Sequence, residues 1–193
     1  MSTSHVFRAL LAVFAALSAL PSVSATDLPI IPRIEVNSWV NVQTEVSPAA
    51  VGDGIADDTA ALQAALDLIT ATGDGPKVLF FPAGTYRVTS ELRFEDKLGA
   101  MLLGEGRSTI IRYDGPITRA PFATLFRSDG ATRCYYEGIV FDANHRAGFA
   151  VKHWGTVKFE ASNSYRFCAF INATLAGLDG TSGTFASSEM DIE

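Results

Sequence analysis

The stretch Val51-Gly-Asp-Gly-Ile-Ala-Asp-Asp-Thr-Ala-Ala-Leu-Gln-Ala-Ala-Leu66 sets the reading of the whole chain. Gly52-Asp53-Gly54 is turn chemistry: two glycines free to take positive φ flank an Asp whose carboxylate can bond nearby backbone N–H groups. Asp57, Asp58 and Thr59 are helix-start residues. Their oxygens suit the free N–H groups of a first turn, and the two charges suit the positive end of the helix dipole. Leu62, Ala65, Leu66 and Ile69 then repeat at i, i+3, i+4 and i+7, which is one apolar helix face. Gly73 is the natural stop. No Glu or Gln stands three residues after either Asp, so a capping box is absent.

Downstream, Val78 to Phe81 reads as a buried strand, Pro82-Ala83-Gly84 as a turn and Thr85 to Val88 as the next strand. Ala100 to Leu103 and Thr109 to Arg112 read as two more strands around Gly104-Glu105-Gly106. That pair of glycines is not a dinucleotide fingerprint, because the third glycine and a following helical pattern are missing. The order of Ala50-Val-Gly-Asp-Gly54, Asp57-Asp58-Thr59 with its helix, Phe81-Pro-Ala-Gly-Thr-Tyr86 and Leu103-Gly-Glu-Gly-Arg-Ser-Thr-Ile-Ile111 resembles the opening of the pectate-lyase superfamily. Its rhamnogalacturonase-like and epimerase-like members are the ones meant. The resemblance covers roughly Val40 to the end of the chain. It implies an all-β fold: a right-handed parallel β-helix, a solenoid, with an N-terminal α-helix capping the first rung. Ala49 stands where the family has Gly, and the run Gln43 to Ala49 is longer than usual, so the first turn is expected to depart from the pattern.

Residues 1–25 read as a secretory signal peptide. Arg8 is their only charged side chain apart from histidine, Ala9 to Leu20 is an apolar run, and Val23-Ser24-Ala25 is a small-residue cleavage signal. The run is too short to span a membrane, and no other long apolar stretch follows. Residues 26–39, with Pro29 and Pro32, read as an extended lead-in, and 40–193 as the N-terminal part of a single β-helix domain. Export implies a secreted or periplasmic protein. Losing Arg8 leaves 14 Lys and Arg against 21 Asp and Glu, a net charge of −7. That acidity argues against nucleic acid as a partner. It also means that a polysaccharide partner with acidic sugars needs a local basic site.

Comparing the chain with itself at an offset of 29 aligns Tyr136 with Tyr165, Phe141 with Phe170 and Gly148 with Gly177, with Phe149 opposite the similar Leu178. Tyr136 to Asp142 and Tyr165 to Ile171 therefore read as equivalent strands on successive turns. In that register Cys168 falls on Ile139 and Cys134 on Asn163, which keeps the thiols apart and favours two free cysteines over a disulfide. Ser188 to Glu193 reads as the opening of a third copy, with Met190 on Ala161. The C-terminal rungs are read as missing, and residues 26–193 alone are expected to self-associate through an uncovered last rung.

Two clusters are candidates for chemistry. In Asp142-Ala-Asn-His-Arg146, Asp142 is a candidate acid or base, His145 is a candidate proton-transfer group, and Arg146 presents a planar fork to a sugar carboxylate. A solvated turn explains the same residues. Lys152-His153-Trp154 offers Lys152 and Trp154 for substrate binding, a cation beside a ring that could stack on a sugar; a Trp half-buried at a strand edge is the alternative. Asp57-Asp58 is read as structural. No metal-ligand spacing is found, and Ca²⁺ enters only through the family resemblance. Asn172-Ala-Thr174 is a glycosylation sequon.

The resemblance implies a carbohydrate-active protein working on pectin-like or other uronate-containing polysaccharide by lyase, hydrolase or epimerase chemistry. The alternative is a non-catalytic surface β-helix, an adhesin or carbohydrate-binding stalk, because one scaffold hosts many activities. Cleavage after Ala25 predicts that the exported protein begins at Thr26. N-terminal sequencing that still finds Met1 would refute this.

Overall fold

Short apolar runs separated by sharp corners make this chain coil rather than double back. The computed structural model describes residues 39–69, 77–118, 122–155, 160–180 and 190–192, all inside the compact unit Asn37–Glu193. The segments read as a signal peptide and as a lead-in before Trp39, and the expected Gly73 stop, lie outside the described residues. The first turn holds β1 (Trp39–Asn41) and β2 (Asp53–Asp57), followed by α1 (Thr59–Leu68). The second holds β3 (Val78–Phe81), β4 (Gly84–Val88) and β5 (Leu92–Glu95), the third β6 (Met101–Gly104), β7 (Thr109–Tyr113) and β8 (Thr124–Asp129). The fourth holds β9 (Tyr135–Glu137), β10 (Val140–Asp142) and β11 (Phe149–His153), and the fifth β12 (Asn163–Arg166), β13 (Ala169–Ile171) and β14 (Ala176–Asp179). β15 (Met190–Ile192) follows.

Stacked turns build three parallel sheets, ordered β1-β3-β6-β9-β12-β15, β13-β10-β7-β4-β2 and β14-β11-β8-β5. The fold is a parallel β-helix. Alternation puts one face of every strand inside. Tyr86, Ile111 and Phe141 fill the interior of the second sheet, and Phe94, Phe126 and Tyr136 meet them from the other two. Like residues stack along the axis: Tyr136 lies on Tyr165 with ring centroids 4.4 Å apart, and Phe141 on Phe170 at 5.7 Å.

Four details differ from the sequence reading. Tyr136–Asp142 and Tyr165–Ile171 each divide into two strands, because Gly138 (φ 65°) and Phe167 (φ 52°) turn the chain from the first sheet to the second. The corner is crowded: a Cβ on Gly104 would collide with the carbonyl oxygen of Gly138. The offset of 29 holds for Tyr136 with Tyr165 and Phe141 with Phe170, but Phe149 pairs with Ala176 rather than Leu178, and Met190 with Asn163 rather than Ala161. The cause is loop length, since residues 143–148 join β10 to β11 and only 172–175 join β13 to β14. Trp39 begins β1 instead of ending the lead-in. Asp58 does not cap α1 with its side chain. Its buried carboxylate turns back to accept from Val51 N at 2.6 Å and Gly52 N at 3.1 Å, and Asp57 takes the Thr59 N–H at 3.0 Å instead. Gly52 and Gly54 do take positive φ, Gly52 just before and Gly54 within the irregular strand β2. Cys134 and Cys168 are free thiols.

Helix α1 follows from its apolar face, with Leu62, Ala65, Leu66 and then Ile69 buried. It lies against β5, the terminal strand of the third sheet. Gln63 meets that edge as another strand would. Its Nε2 donates to Arg93 O at 2.9 Å, and Arg93 N donates to its Oε1 at 2.8 Å. Thr89 N donates to Thr59 Oγ1 at 2.8 Å, and Lys97 Nζ to Ile69 O at 2.6 Å. Truncating a fully buried Leu removes transfer energy and leaves a cavity, so Leu66→Ala should cost about 2–5 kcal/mol in denaturant unfolding. Gln63→Ala should speed hydrogen exchange at the Arg93 amide; an unchanged rate would mean the edge is covered by something else.

Candidate functional site

The outer face of the second sheet is built by the same alternation as its interior. With Tyr86, Ile111 and Phe141 inside, Arg87, Arg112 and Asp142 point out, and the register places them in one ladder. At the corner leading to the third sheet, Asp114 binds two arginines from different turns: Arg87 Nε at 2.6 Å and Arg146 Nε at 3.3 Å. The Arg87 hydrogen bond holds the Asp114 carboxyl below its ordinary value. Arg112 donates through Nη2 to Gly54 O at 2.9 Å, while its buried Nε has no partner.

The predicted Asp142, His145 and Arg146 all lie at this corner, in different circumstances. Asp142 Oδ1 accepts from Asn144 N at 2.9 Å and from Asn172 Nδ2 at 2.7 Å, which ties the corner to the next turn. Asn144 and His145 both take positive φ, at 53° and 54°. The His145 backbone N–H is held by Asn172 O at 2.8 Å, and its exposed ring makes no hydrogen bond among the described residues. Arg146 is committed to Asp114. Glu91, before β5, belongs to the same region. Burial raises its carboxyl above the ordinary value, against the opposing pull of Arg127 and Arg93. Tyr113 is raised by burial and by Glu91.

The outer face of the third sheet carries a second ladder: Arg93, Arg127, Lys152 and Asp179 in register. Its like charges are separated by partners. Arg127 Nη2 meets Asp129 at 2.8 Å and Lys152 Nζ meets Asp179 at 3.1 Å. Trp154 lies against both cations, with Arg127 Cζ 4.7 Å and Lys152 Nζ 4.9 Å from its ring centroid. Lys152 also sits 3.9 Å over Phe149. Lys152 and Trp154 therefore do come together, in a packed cation–aromatic cluster rather than as an open platform. His153, between them, points inward. Its Nδ1 is 2.5 Å from Glu160 and its Nε2 is 2.7 Å from the Tyr165 hydroxyl, both buried.

The calcium site that the resemblance implies does not fit these residues. Among the described residues no group of three or more His, Cys, Asp or Glu is placed to hold a metal ion, and Asp114 is already bound by two guanidinium groups. No helix among the described residues is long and apolar enough to cross a membrane. Sequence reasoning missed Arg87, Arg112, Asp114 and Glu91. The outward alternation in Thr85–Val88 and Thr109–Tyr113, each with Arg at the same strand position, was the available signal.

Residues 39–163 match the profile of the family described as rhamnogalacturonase A/epimerase, pectate lyase-like. The chain belongs to that family. Over 40 residues it is 55% identical to mannuronan C5-epimerase AlgE5 of Azotobacter vinelandii, covering 21% of this chain and 4% of that protein. Over 80 residues it is 36% identical to a glucan 1,3-beta-glucosidase of Cochliobolus carbonum, covering 42% of this chain and 10% of that protein. The chain thus matches only a small part of these relatives' length. Among solved structures, ORF18 of Geobacillus virus E2 superposes with a TM-score of 0.51 at 22% identity, covering 74% of this chain and 27% of that one, which supports the fold alone.

Asp57 is a second carboxyl held low: its partial burial opposes ionisation, but hydrogen bonds from Thr59 and Thr89 outweigh it. A depressed folded pKa stabilises the fold above the unfolded value and loses that contribution as pH falls through the folded one. With Asp57 and Asp114 both below 3.8, thermal stability should fall as pH drops below about 4. Asp57→Asn should flatten that decline; an identical acid profile would contradict the assignment.

Proposed function

We propose that this chain is part of an exported protein that binds a uronate-containing polysaccharide at the corner between the second and third sheets. The observation that carries the reading is the convergence there of Arg87, Arg112 and Arg146, from three successive turns of an acidic protein. A uronate carboxylate needs such a local cation cluster, and planar guanidinium groups suit it. The cluster also holds a proton-transfer group, the unbonded imidazole of His145, while Glu91, its carboxyl raised by burial, is paired with Arg93 on the third-sheet side.

The chemistry that this set serves is proton transfer at the ring carbon bearing the carboxylate. A base takes that proton, and a neighbouring cation stabilises the charge that builds on the carboxylate. Loss of the adjacent glycosidic oxygen then gives elimination, and return of the proton to the opposite ring face gives epimerisation. The epimerase relatives favour this over hydrolysis by paired carboxylates, because mannuronan is a uronate polymer. The second reading is a non-catalytic carbohydrate-binding β-helix. It draws support from the third sheet, where Arg127 and Lys152 are neutralised by Asp129 and Asp179.

Alanine at Asp142, His145 and Arg146 separates these readings. On the intact protein, His145→Ala should keep the wild-type melting temperature, whereas Asp142→Ala and Arg146→Ala, which remove contacts within the corner, should stay folded with a lower one. Arg146→Ala should weaken oligouronate binding about tenfold, the loss of one charge-assisted contact. His145→Ala should lower turnover by about 10²-fold or more with binding retained, as expected for a lost acid–base group. Binding without turnover in the wild type would establish the non-catalytic reading. Unchanged binding and kinetics in all three variants would return the corner to an ordinary solvated turn.

A further inference from the structure

The second sheet has a second outward ladder beside the charged one. The register stacks Ile110, Val140 and Ala169, one from each of three turns. Together with Ile171 and Arg107 they line a surface pocket of about 350 Å³. Val140 is 7% exposed and Ile171 40%. Arg107 comes from the short turn before β7. It is exposed, with no hydrogen bond or ion pair among the described residues, in contrast to Arg87, Arg146 and Arg127.

We propose that this pocket is a second uronate subsite, in which a sugar ring lies on Ile110, Val140 and Ala169 and its carboxylate meets Arg107. The inference rests on the polysaccharide reading above and extends it to residues outside the corner. Charge complementarity selects the occupant. An apolar floor suits the C–H face of a pyranose, and an uncommitted guanidinium at its rim suits an anion. A neutral glycan would use the floor and leave the cation idle. An anion without a ring would use the cation and leave the floor exposed. Successive residues within each ladder on this face are one strand spacing apart, about 4.8 Å, comparable with the length of one sugar unit. The pocket adjoins Arg112 and Asp142 through Ile171, the register partner of Asp142, so one oligosaccharide reaches both sites.

The test uses the intact protein, a trigalacturonate or trimannuronate probe, and the same trimer with its carboxylates reduced to alcohols. Calorimetry should show the acidic trimer binding and the reduced one binding at least about tenfold more weakly. Arg107→Ala should weaken the acidic trimer about tenfold without changing the reduced one, and Arg107→Glu should weaken it further. Ala169→Leu, which fills the floor from a partly exposed position, should weaken both trimers. Melting curves should match the wild type, because neither side chain is buried. If Arg107→Ala binds like the wild type while Arg146→Ala does not, the pocket is refuted and the corner stands. If Ala169→Leu changes neither affinity, the floor plays no part and the proposal fails. If the wild type binds neither trimer, both readings fall.

Discussion

Side chains in the paired strands sit above their register partners one turn below, because the backbone ladder between parallel strands fixes the pairing. Adjacent strands lie about 4.8 Å apart, close enough that whatever repeats along the axis must tolerate its own copy as a neighbour. Inside, aromatic rings tolerate it well, and Tyr136 on Tyr165 and Phe141 on Phe170 are nearly parallel stacks. Outside, the same rule sets Arg87 on Arg112 and Arg127 on Lys152. Like charges at that spacing repel, and the surface answers by inserting acids: Asp114 between Arg87 and Arg146, and Asp179 beneath Lys152. The cation cluster at the corner is therefore a product of the ladder as much as of any one residue.

The ladder also creates an edge. β5 is the terminal strand of the third sheet, and open N–H and C=O groups there would template pairing with another chain. Thr59 and Gln63 on α1 occupy that edge with side-chain oxygens and an amide. Gln63 reproduces both halves of a ladder bond, donor and acceptor, which a carboxylate or an ammonium could not do. The helix thereby joins two jobs: its apolar face covers the interior, and its polar face ends the sheet.

The buried polar cluster around Glu160 meets the usual requirement that buried donors and acceptors be paired. Glu160 accepts from Ser128 and from Gly155 N, and lies against His153, whose other nitrogen meets Tyr165. This cluster links the third, fourth and fifth turns through side chains alone. His153 is bracketed by Lys152 and Trp154, both on the outer face, so strand alternation splits one tripeptide between two environments.

The sequence by itself determined the architecture. The Val51–Leu66 stretch and the strand-turn-strand runs carry the family resemblance that implies a coil of short parallel strands, and the aromatic pairs at an offset of 29 are a self-aligning signal consistent with it. Burial periodicity likewise identified Leu62, Leu66 and Ile69 as core. What the tertiary structure alone decided was which distant residues share a corner. Arg87, Arg112, Asp114 and Arg146 are scattered over sixty residues, and only the register of three turns brings them together. Turn length was equally out of reach: residues 143–148 and 172–175 close equivalent corners, and that two-residue difference moved Phe149 from Leu178 to Ala176. Asp58 shows the same limit at short range. Its position before a helix marks a cap, yet its carboxylate serves the Val51–Gly52 turn, whose two N–H groups the first turn of the coil brings against it. Local chemistry says what a residue can bond. Which bond it makes is set by the neighbours that the coil stacks against it.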